Sequence, residues 1–255
     1  MYVCGAKVKE NMILAVIPAR YASTRFPGKP LVDLGGKTMI QRVVEQVAQS
    51  RQVDRAVVAT DDPRIFDHVR SWGGEVLMTR PGHLSGTDRC AEVAQKFPKA
   101  NFILNVQGDE PFIQPAQIDL LAETLLSDPQ VPIATLAKKI EQSEMLFNSN
   151  IVKAVFSETG RAIYFSRHPI PFVRGVEPEN WLAQQNFYKH IGLYGFRRTT
   201  LLEIARLSPT PLERAESLEQ LRWLEHGFRI QVGITDLETV GIDTPEDLDK
   251  FRKDI

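Results

Sequence analysis

A segment near the N-terminus carries several positive side chains and no acidic one. The segment VIPARYASTRFPGKPL, residues 16–31, begins as an apolar run and then contains Arg20, Arg25 and Lys29. Prolines and glycines between them restrict or specially shape the backbone, which suits holding charges in one geometry. Arginine can grip two phosphate oxygens, whereas lysine acts as a point charge. The pattern favours a binding site for an anion such as phosphate; a solvated basic turn is the alternative.

Two common phosphate-binding motifs do not explain this segment. Gly36-Lys37-Thr38 resembles the end of a P-loop, but the glycine that the motif requires five residues before Gly36 is replaced by Leu31. No G-x-G-x-x-G sequence follows the first apolar run, so a dinucleotide-binding fold is not supported.

A carboxylate follows a later apolar run. The sequence NVQGDEP, residues 105–111, places Asp109 beside a glycine. An aspartate in this position can bind Mg²⁺ through one oxygen while the ion takes further oxygens from phosphates. An aspartate in an ordinary Gly-Asp turn is the alternative. Together with the basic segment, Asp109 predicts a site for Mg²⁺ and a nucleotide.

The composition limits the classes of protein to consider. The chain has 255 residues, 43% of them hydrophobic, and 31 Lys and Arg residues against 32 Asp and Glu residues, so it is not a globally basic nucleic-acid binder. No apolar run approaches the length that spans a bilayer. Two cysteines are too few for a disulfide framework and suit a reducing compartment. We expect a cytoplasmic protein that binds neither nucleic acid nor membrane.

The first half of the chain alternates between strand and helix patterns. Apolar runs of strand length are found at Ile13–Ile17, Ala56–Ala59, Glu75–Met78 and Phe102–Val106. Apolar residues at helical spacing are found at 39–47, 63–72, 87–97 and 116–126. This alternation predicts an α/β fold with a mainly parallel sheet flanked by helices. Ligands of such sheets bind beyond the carboxyl ends of the strands, where the basic segment lies.

The second half is less regular. We expect two strands within 151–166 around a Glu-Thr-Gly turn, a proline-rich stretch at 168–181, strands at 191–196 and 230–234, a helix at 213–225, and a last helix from Thr244. The simplest organisation is a short frayed extension at 1–11, followed by one domain at 12–255 with a β-rich inserted segment near 151–200.

Seven segments, in order, closely resemble the 3-deoxy-manno-octulosonate cytidylyltransferase (CMP-KDO synthetase) family. They are IPARYASTRFPGKPL, MTRPGHLSGTDR, LNVQGDEPFI, YFSRHPIP, KHIGLYGFR, LERAESLEQLR and VGIDTPEDL. The resemblance extends from about residue 12 to the C-terminal helix. It implies a nucleotidyltransferase fold with a dimerisation insert, and a homodimer. CMP-sialic acid synthetases are related, but their first loop usually reads R-x-G-S-K, from which residues 21–25 depart.

The resemblance also implies a reaction and a set of residues. The anomeric hydroxyl of the eight-carbon acid sugar KDO would attack the α-phosphate of CTP, which gives CMP-KDO for lipopolysaccharide assembly and releases pyrophosphate. The residues that it assigns to the CTP phosphates are Arg20, Ser23 and Lys29, with Arg20, Lys29 and Asp109 catalytic. Those that it assigns to the cytidine are Arg80, Ser85 and Gln107. Asp109 and Asp243 would share Mg²⁺.

The resemblance places the sugar in the second half of the chain. Its residues there are Arg167, His190, Tyr194, Glu219 and Gln220. Simpler interpretations remain open for three of them: a surface histidine, a core tyrosine, and a glutamate on a solvated helix face. Asp243 could instead be a loop residue ahead of a helix cap.

Two other functions remain open from the sequence. The same chemistry could act on an 8-amino analogue of KDO or on a sialic acid. A catalytically silent nucleotide-binding module on this fold would keep the basic loop, but the presence of both Asp109 and Asp243 argues against it.

Overall fold

The chain forms nine strands and nine α-helices within the residues that the computed structural model describes, which are 11–22, 26–238, 241–242 and 247–248. Strands β1 to β9 are Met12–Ala19, Arg55–Thr60, Val76–Met78, Ala100–Asn105, Ile133–Lys139, Lys153–Phe156, Ala162–Ser166, Tyr188–Arg197 and Ile230–Ile234. Helices α1 to α9 are Met39–Ala48, Pro63–Ser71, Gly86–Lys96, Pro115–Leu126, Ser143–Phe147, Trp181–Gln184, Arg198–Ile204, Pro211–Glu216 and Glu219–Glu225.

The strands join in one mixed sheet. Its main order is β3-β2-β1-β4-β8-β5-β9, and β6 and β7 form a hairpin that attaches to β8. All strand pairs of the main order are parallel except those of β8, which runs antiparallel to β4 and β5. The mainly parallel sheet predicted from the sequence is therefore confirmed. Because β2 and β4 lie on opposite sides of β1, a crevice opens at the carboxyl ends of β1 and β4.

Helices cover both faces of the sheet. The buried residues of α3, α7 and α9 pack on one face, and those of α1, α2 and α4 pack on the other. The central strand β1 is buried on both sides, with Leu14, Val16 and Ile17 fully inaccessible. A continuous apolar strand of this kind is expected where helices cover both faces of a parallel sheet.

The helices that follow β2 and β3 begin at strong local signals. Asp62 precedes α2, and its carboxylate accepts a hydrogen bond from the backbone nitrogen of Arg64. Ser85 precedes α3 and forms a reciprocal capping box with Asp88. Such caps satisfy backbone N–H groups that would otherwise lack a partner. They fix where α3 begins, beside the crevice.

The prediction of a single helix at 213–225 is wrong, because this segment contains parts of two helices, α8 and α9. Ser217 adopts a left-handed conformation, with φ 52°, between α8 and α9. The next residue, Leu218, turns inward and is only 7% exposed. An ion pair between Glu213 and Arg222 then joins the two helices at 2.5 Å. Burial of Leu218 therefore prevails over the continuous helical pattern.

The β-rich segment contains the expected hairpin and one unexpected feature. Strands β6 and β7 flank the turn at Glu-Thr-Gly, where Gly160 has a positive φ of 78°. However, 151–200 also includes β8, which lies between β4 and β5 in the main sheet. The segment is thus partly built into the central sheet.

Several sequence predictions fall wholly or mainly on residues that are not described. The extension at 1–11 is described only at Asn11, and the helix expected from Thr244 only at 247–248, which are helical. Ser23, Arg25 and Asp243 also lie outside the described residues. Within the part of the chain that is described, no helix is both long and apolar enough to cross a membrane.

Candidate active site

A cavity of about 200 Å³ occupies the crevice between the carboxyl ends of β1 and β4. Its walls come from the loop after β1, the 3₁₀ turn Lys29–Leu31, the start of α3 and the segment after β4. The lining residues are Pro18, Ala19, Arg20, Ala22, Lys29, Pro30, Ser85, Gly86, Arg89, Gln107, Gly108 and Asp109. Three of these residues are basic and one is acidic, so the lining suits an anion.

Two glycines permit the close contacts that shape this cavity. A Cβ atom on Gly108 would lie 2.6 Å from the carbonyl oxygen of Pro18, so a side chain there would separate the ends of β1 and β4. Gly28 has a φ of 72°, and its nitrogen donates to the carbonyl oxygen of Tyr21 at 2.9 Å. Glycine adopts such a conformation without steric cost. Tyr21 and Gly28 thereby close the base of the basic loop.

Lys29 and Asp109 meet across the cavity. The Lys29 Nζ atom lies 2.6 Å from Asp109 Oδ2, and the lysine side chain is 12% exposed against 34% for the aspartate. The opposite charge keeps a largely buried ammonium group compensated when no other anion is present. A polyanion in the cavity would offer Lys29 a second set of acceptors.

Arg20 and Ser23 are the other two residues predicted to bind the phosphates. Arg20 is exposed, lines the cavity and forms no ion pair with a described residue. Arg20 therefore lies where it can contact a ligand in this cavity. Ser23 is not among the residues that the structure describes.

Of the three predicted cytidine residues, two line the cavity. Gln107 donates from Nε2 to the carbonyl oxygen of Gly192 in β8 at 3.1 Å, which ties the end of β4 to β8. Ser85 lies at the cavity wall as the cap of α3. Arg80 lies in the turn before it, with its side chain 78% exposed.

Sequence reasoning missed Arg89, which also lines the cavity. Its side chain is 1% exposed; it donates a hydrogen bond to Thr79 and lies 3.2 Å from Asp61. Arg89 occurs on the buried face of α3, four residues before Val93. An arginine on an otherwise apolar helix stripe was the signal that could have identified it.

The predicted sugar residues form a second group beside the cavity. His190 and Tyr194 lie on β8 with ring centroids 5.3 Å apart, and Glu219 lies on α9. Glu219 accepts a hydrogen bond from Thr87 Oγ1 at 2.7 Å, and Thr87 follows Gly86 of the cavity wall. The first turn of α3 therefore joins the two groups.

The environment of these side chains modifies their ionisation. Burial lowers the pKa of His190 to about 3, so this ring is neutral near pH 7. Burial raises the pKa of Glu219 above its ordinary value. Burial, followed by the nearby charge of Glu219, raises the pKa of Tyr194. The group therefore offers polar side chains in a poorly hydrated setting.

The structure can be compared with the simpler interpretations of these residues as a surface histidine, a core tyrosine and a solvated glutamate. His190 lies within β8 and its Nε2 atom is 2.9 Å from Thr135 Oγ1, so it is not a loosely held surface residue. Tyr194 packs in the core, 5.0 Å from the ring of Trp223. Glu219 is not on a solvated helix face, since it bonds to Thr87.

Arg167 and Gln220 lie around α9. The Arg167 Nε atom donates to the carbonyl oxygen of Glu216 at 2.6 Å, and Nη1 donates to the carbonyl oxygen of Ser149 at 3.2 Å. These contacts hold the guanidinium group at the junction of α8 and α9. Gln220 is buried, with 5% of its surface exposed.

The described residues suit a magnesium ion that a substrate phosphate also binds. Among the described side chains, no three His, Cys, Asp or Glu residues converge as a metal site. Asp109 nevertheless lines the cavity, and only its Oδ2 atom accepts from Lys29. Magnesium is commonly held by one or two carboxylates together with substrate phosphates. Ile242, which precedes Asp243, donates its backbone N–H to the carbonyl oxygen of Asp109 at 3.0 Å.

Comparisons with known proteins agree on one family. Residues 14–231 match the family model described as Cytidylyltransferase. The chain is 56% identical over 238 residues to a 3-deoxy-manno-octulosonate cytidylyltransferase of Cytophaga hutchinsonii, which covers 92% of this chain and 94% of the relative. It is 53% identical to the protein of the same name from Parabacteroides distasonis, with 93% and 95% covered.

A solved structure shows the same similarity in three dimensions. CMP:2-keto-3-deoxy-manno-octonic acid synthetase complexed with CTP superposes with a TM-score of 0.89 at 42% identity. The match covers 95% of this chain and 98% of that one. The similarity therefore includes the crevice at β1 and β4 as well as the flanking helices.

Proposed function

The chain belongs to the 3-deoxy-manno-octulosonate cytidylyltransferase family, and from this we infer that it activates KDO with CTP to give CMP-KDO and pyrophosphate. The observation that carries the inference is the basic cavity at the carboxyl ends of β1 and β4, which faces a group of polar side chains on β8 and α9. CMP-KDO serves lipopolysaccharide assembly, as the family's name implies.

We propose that the triphosphate of CTP lies against Arg20 and Lys29. Lys29 would exchange part of its contact with Asp109 for phosphate oxygens, and Arg20 is exposed to the same cavity. Transfer of the cytidylyl group places additional negative charge on the phosphate oxygens and on the departing pyrophosphate. Fixed cations that meet this charge lower the barrier without having to reorganise.

The cytidine end would contact Ser85, Gln107 and Arg80. Gln107 and the start of α3 lie on the wall of the cavity, and Arg80 lies in the adjoining turn. The acid sugar would then bind toward His190, Tyr194 and α9. This arrangement brings its anomeric hydroxyl toward the α-phosphate, and such orientation of two reactants supplies much of the catalysis in transfers of this kind.

We further propose that the reaction depends on Mg²⁺ held by Asp109 and Asp243 together with the phosphates. When bound, the ion would neutralise phosphate charge and favour ionisation of the attacking hydroxyl. Asp109→Asn should leave the protein folded but lower Mg²⁺-dependent turnover at least about 100-fold, because an amide is a much weaker magnesium ligand than a carboxylate. Turnover close to that of the wild type would remove Asp109 from the metal site.

We also propose that the protein forms a homodimer and acts in the cytoplasm. Phe172 is 73% exposed and contacts the buried Trp181, so one large aromatic side chain of the β-rich segment is exposed to solvent. The buried free Cys90 suits a reducing compartment. Light scattering of the purified protein tests the dimer, and a monomer at micromolar concentration would contradict it.

The experiment that tests the function is a pyrophosphate-release assay. CTP, UTP, ATP and GTP are each combined with KDO, 8-amino-KDO or a sialic acid, with and without Mg²⁺. We expect release to be fastest with CTP and KDO in the presence of Mg²⁺. Absence of release with all three present would refute the proposal, and a higher rate with another sugar would reassign the acceptor.

A further inference from the structure

The turn at 80–85 connects two residues that the proposed function assigns to the cytidine. Arg80 begins the turn and Ser85 ends it, immediately before α3. The arginine side chain extends into solvent, with 78% of its surface exposed. The conformation of the turn therefore decides where this guanidinium group can reach.

One carboxylate on α3 holds the turn from beneath. Glu92 Oε2 accepts a hydrogen bond from the backbone nitrogen of Arg80 at 3.1 Å and lies 2.5 Å from His83 Nε2. The side chains of Glu92 and His83 are only 14% and 8% exposed. Burial alone would raise the pKa of Glu92, but the Arg80 N–H and His83 hold it down at about 2, so the carboxylate is ionised.

Both ends of the turn are fixed by other contacts. Thr79, which precedes it, is buried and donates from its hydroxyl to the carbonyl oxygen of Thr60 at 3.1 Å. At the other end, the capping box joins Ser85 to Asp88. Glu92 contacts the part of the turn between these ends, and it binds Arg80 mainly through the backbone, since its contact with Arg80 Nε is long at 3.5 Å.

We propose that Glu92 and His83 are positioning residues that hold the 80–85 turn in the conformation that presents Arg80 to the cytosine base. This proposal rests on the proposed function, because that function supplies CTP as the ligand. Fixing the backbone before binding reduces the entropy that binding would otherwise lose, while the exposed guanidinium stays available. The sequence contains these residues within RPGHLSGTDRCAE, but only the fold brings their side chains together.

The test is calorimetric titration with CTP and UTP, which needs no turnover. We expect Glu92→Leu and His83→Leu to weaken CTP binding about tenfold and to narrow the preference for CTP over UTP, a change typical of losing one charge-assisted contact. His83→Gln should restore most of the affinity, because its amide can still donate to Glu92. Amide hydrogen exchange at Arg80 should accelerate in both leucine variants.

Lys96→Met is the matched control, since Lys96 Nζ lies 3.7 Å from the same carboxylate but outside the turn. We expect its affinity to equal that of the wild type. Circular dichroism checks that each variant folds.

A double variant separates positioning from general destabilisation. If Glu92 acts through Arg80, then Arg80→Ala combined with Glu92→Leu should bind CTP no more weakly than the weaker single variant. Losses that multiply, or a Glu92→Leu variant with unchanged affinity, would overturn the proposal. If the wild type binds CTP but releases no pyrophosphate, the proposed function fails while the positioning role is still decided by these affinities.

Discussion

At the scale of single residues, the ion pair of Lys29 and Asp109 links the two sequence segments to which the proposed function assigns the chemistry. The two residues are 80 positions apart in the chain, yet their charged atoms lie 2.6 Å apart. Each follows a parallel strand at its carboxyl end, and these strands are neighbours in the sheet. The rule that ligands bind at such ends led us to expect these two residues at the same edge of the sheet, and the structure brings them into contact there.

Lys29→Met tests the role of the ammonium group. We expect kcat/KM for CTP to fall about 100-fold, since fixed charge on a transferring phosphoryl group is commonly worth several kcal/mol. The control is Lys37→Met, because Lys37 forms an ion pair of similar length with Glu45, 2.7 Å, away from the cavity. A loss in both variants, or in neither, would contradict the assignment of Lys29.

His190 provides a second residue-scale prediction, through the pH dependence of stability. Burial lowers its pKa to about 3, so between that pH and its ordinary value near 6.5 the unfolded chain binds more protons than the folded chain. As far as His190 is concerned, the free energy of unfolding is highest above about pH 6.5. It falls as the pH falls below that value, by at most about 1.4 kcal/mol per pH unit. Glu219 acts in the opposite direction, because its pKa is raised in the fold.

Urea unfolding of the wild type and of His190→Gln at pH 7, 6 and 5 measures how much of the pH dependence of stability comes from His190. We expect the free energy of unfolding to fall less steeply with acidification in the variant. Parallel pH profiles would show that the imidazole is not held neutral by the fold.

Some site residues could not be predicted from local sequence. Arg89, His83 and Glu92 are brought together by contacts that α3 makes with the preceding turn and with Asp61, which follows β2. Charged residues in a helix are usually solvated, so their types alone gave no reason to place them inside. By contrast, Arg20 and Asp109 stood out because glycine and proline surround them after apolar runs.

At the scale of elements, regular apolar spacing predicted helices α1 to α4 correctly, but it did not reveal where a helix is interrupted. Helices α1 to α4 lie where the apolar spacing predicts them, because each has one face packed on the sheet. The segment 213–225 has the same spacing but is divided at Ser217. A serine in the left-handed conformation leaves no sequence signal, since glycine is the residue normally found there.

Ser217→Gly tests whether this break is strained. A left-handed conformation costs a non-glycine residue about 1–2 kcal/mol, and the greater backbone freedom of unfolded glycine offsets about half of this. We therefore expect a gain of about 0.5–1 kcal/mol in unfolding free energy, measured in urea. Ser217→Ala, which cannot relieve the strain, should show no gain. Equal stability in the glycine and alanine variants would contradict this account.

At the scale of the whole molecule, the order of the sheet brings together the two groups of residues to which the proposed function assigns CTP and the sugar. Strand β8 runs antiparallel between β4 and β5, so its first half extends beyond the carboxyl end of β4. His190 and Tyr194 are thereby carried to the side of the crevice. The alternation of strands and helices predicted a parallel sheet, but no local pattern reveals the direction or neighbours of a single apolar strand such as β8.

A crystal structure of the protein with CTP and Mg²⁺ tests most directly where the triphosphate binds. We predict that the triphosphate lies between the loop after β1 and Asp109, with Arg20 and Lys29 within hydrogen-bond distance of its oxygens. A triphosphate bound elsewhere, with Lys29 still paired to Asp109, would contradict it.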